Sequence, residues 1–138
     1  MRLLEEKQEK LQPRLRPHKV MKKTLIKKQR FDRRKARVRG KINGTSKIPR
    51  LSVFKSNIHI YAQLIDDDAQ KTLAGVSDLK IKKDKMNKVE IAEKIGEEIA
   101  KLAIKAKIKK AVFDRNGFAY HGRVRAVAEG ARKGGLEF

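Results

Sequence analysis

Arg50-Leu51-Ser52-Val53-Phe54-Lys55-Ser56-Asn57-Ile58-His59-Ile60-Tyr61-Ala62-Gln63-Leu64-Ile65 is the stretch on which the fold turns. Up to Pro49 the chain is dominated by lysine and arginine, and beyond it the pattern becomes that of β-structure. Arg50–Phe54 is a short apolar run. From Ile58 the side chains alternate, with Ile58, Ile60, Ala62 and Leu64 expected on one face and His59, Tyr61, Gln63 and Ile65 on the other. Lys55, Ser56 and Asn57 would then make a tight hairpin between two antiparallel strands. Asp66–Gln70 supply a second turn ahead of a third strand over Lys71–Ser77, because aspartate suits turn backbone geometry.

Toward the C-terminus, Leu79–Met86 is a polar, lysine-rich connection. Asn87, followed three residues later by Glu90, resembles a capping box that opens a helix. Ala92, Ile95, Ile99, Leu102 and Ala106 recur at spacings of three and four, which predicts one buried stripe, while Glu93, Lys94, Glu97, Glu98, Lys101 and Lys105 face solvent. Ala111–Asp114 reads as a short buried strand ended by Arg115-Asn116-Gly117. Val124, Val127, Ala128 and Ala131 mark a last helix that stops near Gly134 and Gly135. A right-handed crossover through the long helix pairs the fourth strand parallel to an earlier one. The expected fold class is therefore α/β: a mixed sheet of three antiparallel strands plus one parallel strand, flanked by two helices, with a basic N-terminal arm.

Toward the N-terminus the charge accumulates. Residues 1–50 hold 19 Lys or Arg against 4 acids, and residues 51–138 hold 18 against 12. Leu25, Ile26, Phe31, Val38 and Ile42 look too sparse for a core-facing stripe, so this segment is not expected to fold on its own account. Lys22–Arg39 lacks Pro and Gly and is rich in helix formers, and Gly40 and Gly44 supply a stop. It reads as an arm that becomes helical on a phosphate surface; a solvated charge run is the plainer alternative. Composition divides the chain into a basic arm over 21–48 and a globular domain over 49–138; the resemblance given below implies that both bind RNA and that 1–20 is an N-terminal extension.

The whole chain of 138 residues has 37 Lys and Arg against 16 Asp and Glu, a formal charge of +21. Such an excess disfavours a compact monomer by self-repulsion and points to a polyanionic partner. No segment approaches the roughly 20 apolar residues needed to cross a bilayer. Glu5, Glu6 and Glu9 leave no apolar region for a secretory signal. Cysteine is absent, which removes disulfides and thiolate chemistry. The expected place is the cytoplasm, or less readily an organelle.

Few residues suggest chemistry. His121 opens the last helix beside Tyr120 and Gly122, where helix amides can receive a phosphate; it has no nucleophile motif beside it, so packing or an RNA contact is the better account than general base. Asp66, Asp67 and Asp68 could hold magnesium, although a hairpin turn explains them more simply. Arg115, Asn116 and Gly117 read first as a turn, with Arg123 and Arg125 beyond them as a second basic patch. Tyr61 is the one aromatic placed on the polar face of a strand so as to stack on a base. No cofactor is expected, and no P-loop, GxGxxG or zinc spacing is present. A metal-dependent nuclease using Asp66 and Asp114, and a free RNA chaperone, are the rival readings.

The blocks Arg50-Leu51-Ser52-Val53-Phe54-Lys55-Ser56-Asn57, His59-Ile60-Tyr61-Ala62-Gln63, Val112-Phe113-Asp114-Arg115-Asn116-Gly117, Tyr120-His121-Gly122-Arg123-Val124 and Gly135-Leu136-Glu137-Phe138 resemble, in order and spacing, the bacterial form of large-subunit ribosomal protein L eighteen. The resemblance covers residues 21–138. It implies a structural, non-enzymatic role: binding 5S rRNA and helping attach it to 23S rRNA in the central protuberance, among neighbouring large-subunit proteins. By the same resemblance, RNA contacts would come from Lys22, Lys23, Lys27, Lys28, Arg30, Arg33, Arg34, Lys35, Arg37, Arg39 and Lys41 in the arm. Arg50, Lys55, Ser56, Asn57, His59 and Tyr61 would join them from the hairpin, with Arg115, Asn116, Tyr120, His121 and Arg123 from the C-terminal loop and helix start. Residues 1–20 exceed the family's usual length, and Met21 is an alternative start.

Overall fold

The computed structural model describes residues 17–81 and 86–138. Most of the expected extension, and half of the polar connection ahead of the long helix (residues 82–85), lie outside the described residues. The chain divides into two units, residues 1–30 and 31–138. In the first, residues 17–30 form the beginning of helix α1 (Pro17–Arg39), and Lys22 through Arg30 are all exposed.

In the second unit the elements run from the end of α1 through β1 (Arg50–Lys55), β2 (Ile60–Asp66), β3 (Lys71–Ser77), a single 3-10 turn (Asp78–Lys80), α2 (Lys88–Lys105), β4 (Val112–Asp114) and α3 (Arg123–Lys133). The sheet order is β3-β2-β1-β4, with β1–β2 and β2–β3 antiparallel and β1–β4 parallel. That is the expected mixed sheet. Leu51 and Val53 of β1 and Ala62 and Leu64 of β2 are fully buried, because side-chain alternation turns them to the face covered by α2 and α3. Removing each Val or Leu from water contributes roughly 1.5–3 kcal/mol, which is what holds the helices on the sheet.

Helix α2 begins as its sequence implies. Glu90 N–H donates to Asn87 Oδ1 at 2.9 Å, and Asn87 N–H donates to Glu90 Oε2 at 3.3 Å. Its buried face differs from the expected stripe. Leu102 and Ala106 are exposed, whereas Gly96, Ala100 and Ala103 are buried with Ile91, Ala92, Ile95 and Ile99. The reason is α3, which packs so closely that a Cβ on Gly96 would overlap Val127 O, and one on Gly130 would overlap Glu93 O. A backbone-to-backbone crossing of that kind requires small residues and rotates the buried stripe toward them.

Two further differences concern the hairpin and the arm. Ile58 is 70% exposed rather than inward. Ser56 N–H donates to His59 O, and Ser56 Oγ accepts from His59 N–H, so the turn consumes Ser56–His59 and β2 starts only at Ile60. The end of α1 also packs more than its few apolar residues suggest. Phe31, Lys35 and Val38 are half-buried on one helix face, and the Phe31 ring meets Phe118 at 5.1 Å between centroids. Gly117, at φ +80°, permits this approach: a Cβ there would come within 3.2–3.3 Å of Phe31 O and Lys35 N. The compact body therefore begins at Phe31.

Candidate nucleic-acid interface

Strand alternation leaves the second face of the sheet without the helical cover that α2 and α3 give the first. Ser52, Phe54, Tyr61, Gln63 and Ile65 stand on it, and with Arg39 and Asn116 they line a concavity of about 290 Å³. A smaller one of about 150 Å³ adjoins it, reaching from Tyr61 and Gln63 to Ser77 and Lys80. Phe54 and Tyr61 are register partners, and their rings are 6.2 Å apart. Phe118 meets Phe54 at 6.0 Å, and His59 meets Tyr61 at 6.4 Å. Together with Phe31 these rings form a row across the uncovered face. Phe54 is 47% exposed, so Tyr61 is not the single aromatic available there, as its position alone implies. Gln63 and Ser52 place hydrogen-bonding groups beside the rings, and aromatic rows flanked by such groups are a form that platforms for unstacked bases take in general.

Cations border the row. Lys55 Nζ lies 5.5 Å from the Phe118 ring centre. Arg34 Nε donates to Gly117 O at 3.3 Å, and Arg39 Nη2 donates to Asn116 Oδ1 at 3.2 Å. At the hairpin, Arg123 Nη2 donates to Ser56 O and Lys88 Nζ to Asn57 O, which fixes the tip. His59 Nδ1 sits 3.2 Å from both carboxylate oxygens of buried Asp78, which holds the imidazole beside Tyr61. The structure thus brings Arg39, Lys55, His59, Tyr61 and Asn116 together on one face. Arg33, Arg37, Lys41 and Arg115 are exposed, and Lys35 is half-buried.

Three of the expected residues sit elsewhere. Arg50 is inside the body at 7% exposure. Its Nη1 donates to Asp114 Oδ2 at 2.8 Å, while Nη2 and Nε donate to the two oxygens of Asp67 at 2.9 and 3.0 Å. The Arg50 hydrogen bonds hold the Asp67 carboxyl below its ordinary value, and Asp67 in turn raises the Arg50 guanidinium. With its charge-bearing nitrogens taken, Arg50 is a structural cation. Tyr120 packs edge-on against Phe113 at 5.7 Å, and Phe113 is the register partner of Leu51, which faces the helices, so Tyr120 belongs to the covered side. His121 is exposed in a turn ahead of α3, whose N-cap is Gly122 at φ +58°, so it precedes the helix rather than opening it.

The acidic residues are engaged in the fold. Asp66 Oδ1 accepts from the N–H groups of Asp68 and Ala69, Asp67 Oδ2 from Gly44 N–H, and Asp68 Oδ1 from Asn43. Asp114 Oδ1 accepts from Asn116 N–H at 2.8 Å. These carboxylates tie the turn, the entry to β1 and the end of β4 into one network, which is the hairpin-turn account of the cluster.

Comparison with known proteins decides the family. Residues 25–138 match the family profile described as ribosomal L18 of archaea, bacteria, mitochondria and chloroplast. The chain belongs to the ribosomal L18 family. It is similar to the large ribosomal subunit protein uL18 of Porphyromonas gingivalis, 58% identical over 114 residues that span 83% of this chain and 99% of that protein. It is 57% identical over 107 residues to its counterpart from Spiroplasma kunkelii (77% of this chain, 88% of that protein), and 55% over 111 residues to that of Sorangium cellulosum (78% and 93%). Membership of the L18 family makes the chain a structural protein of the large ribosomal subunit and not an enzyme. No helix among the described residues is long and apolar enough to cross a membrane.

Proposed function

We propose that this L18 chain binds 5S rRNA and helps attach it to 23S rRNA in the central protuberance, beside neighbouring large-subunit proteins on cytoplasmic ribosomes. The observation that carries this reading is the uncovered sheet face, where an aromatic row lies among Gln63, Ser52, Arg39 and Lys55. Cations of α1, from Lys22 to Arg39, supply phosphate neutralisation without base specificity, and release of counterions makes the affinity salt-dependent. The rings and the polar side chains between them supply recognition of RNA shape and of splayed bases. Contacts are assigned to the exposed members of the expected set, with Arg50 as their internal support.

Titration of 5S rRNA against an unrelated RNA of equal length tests the reading. If roughly 6 to 10 phosphates are neutralised, affinity falls on the order of a thousandfold or more between low and moderate salt. The 5S rRNA should retain an advantage at every salt concentration. Equal affinity for the two RNAs, or a flat salt response, would refute it.

A further inference from the structure

Some lysines of the body take no part in the surface just described. Lys105, Lys107, Lys109 and Lys110 fall within six residues at the end of α2, and Lys47 comes from the segment ahead of β1. Lys47, Lys107, Lys109 and Lys110 line one shallow concavity of about 320 Å³ floored by Ile48 and Ile108. All are exposed, and among the described residues none of them pairs with an acid, the lysine ion pairs there being Lys101–Glu98 and Lys133–Glu93.

Attraction to the carboxyl end of the helix dipole accounts for Lys105. It does not account for Lys47, which arrives from another segment, or for Lys109 and Lys110, which lie past the helix. Lys107 adds an independent observation. Its backbone is left-handed, at φ +62°, and closes the helix: Lys107 N–H donates to Ile104 O and Ile108 N–H to Ala103 O. Glycine takes that conformation without steric penalty, and a side chain does not. A lysine thus stands where the backbone favours glycine, inside a cluster of exposed lysines that have no acid partner among the described residues.

The topology sets this concavity apart. Lys47 precedes β1, and Lys109 and Lys110 precede β4, which runs parallel to β1. The hairpin carrying Lys55 is at the opposite end of β1, about 17 Å away at the ordinary strand rise. We propose that the Lys47/Lys107/Lys109/Lys110 concavity is a second site for RNA backbone, holding a phosphate run distinct from the RNA engaged at the uncovered sheet face. The proposal rests on the RNA-binding reading above for its choice of RNA as the polyanion. Lysines without an arginine fork suit phosphate held as point charge, with no base readout.

The full chain preloaded with saturating 5S rRNA is titrated with a labelled 20-base-pair RNA duplex of unrelated sequence. With Lys47, Lys107, Lys109 and Lys110 all changed to Gln, 5S rRNA affinity should stay within about twofold. Duplex affinity of the preloaded complex should fall at least tenfold, and its log–log salt slope by about three. Lys107→Gly guards against misfolding: it relieves the left-handed strain, so the unfolding midpoint should rise while the duplex slope falls by about one. Unchanged duplex binding overturns the site, and an equal loss of 5S rRNA affinity overturns its independence. If the wild type ignores 5S rRNA, the earlier reading fails, and duplex titration of the free chain still compares the variants. In intact large subunits, crosslinks from the Lys107 peptide to RNA are expected; crosslinks only to an acidic protein segment would rule out RNA as the occupant.

Discussion

Replacing Arg50 with methionine separates a structural cation from an RNA contact. The substitution keeps the apolar stem and removes three charge-assisted hydrogen bonds, one to Asp114 and two to Asp67. Asp114 is fully buried and would keep only the Asn116 N–H and the Arg39 Nε at 3.7 Å. Removing one partner of a buried pair costs about 3–5 kcal/mol. The lower end applies, because the Asp67 side chain is 27% exposed and can rehydrate. For a body of roughly 110 residues, about 3 kcal/mol corresponds to a fall in unfolding midpoint of about 13 °C. Thermal melts followed by circular dichroism at neutral pH and low salt measure it. Arg50→Met with Asp114→Asn, which removes the stranded charge but leaves an acceptor for Asn116, should recover more than half the loss. A midpoint within about 2 °C of wild type, together with a salt slope for RNA reduced by about one, would show Arg50 to be a surface contact and overturn the reasoning.

Four other outcomes are expected. Phe54→Ala should weaken RNA binding by about 1–3 kcal/mol if a base stacks on the row, read by filter binding, with Tyr61→Ala acting in the same direction. Deleting residues 1–30 removes 11 Lys and Arg, of which the exposed Lys22, Lys23, Lys27, Lys28 and Arg30 alone should lower the salt slope by about four, so a fall of at least that size is expected while the remaining body stays folded. Gly96→Ala should destabilise by at least about 3 kcal/mol in urea titration, since its methyl group meets backbone of α3 rather than a side chain that can move. Because the folded state holds the Asp67 carboxyl below its ordinary value, its contribution is present above the unfolded value, near 4, and is lost as pH falls through the lower folded value. Melts across that acid range should show the decline, and Asp67→Asn should flatten it.

The parts of this fold written in short-range pattern are legible without coordinates. Asn87 and Glu90 announce the start of α2 because a capping box is complete within four residues. Alternation from Ile60 to Leu64 fixes which face of β2 is buried. Periodicity fails at Leu102 because the buried stripe depends on α3, and the need for Gly96 to touch Val127 is a relation between helices. Ile58 continues the alternation on paper, but Ser56 captures the backbone of His59 and the strand starts two residues later. Arg50, as the first residue of a strand after a basic run, reads as one more surface charge. Its partners Asp67 and Asp114 are 17 and 64 residues away, and no local pattern reports that distance. Phe54 was hidden for the opposite reason: an apolar residue in an apolar strand reads as core until the sheet is seen to be covered on one side only.

The uncovered aromatic face also governs how the free chain behaves before it meets RNA. An apolar row open to solvent invites copies to adhere, and the high like charge of the chain keeps them apart. Salt concentrated enough to strip RNA during purification also shortens the range of that repulsion, to about 3 Å at molar strength. The condition that frees the protein from nucleic acid is therefore the one in which it is most inclined to self-associate, and recovery should be better when moderate salt is combined with dilution than when salt alone is raised.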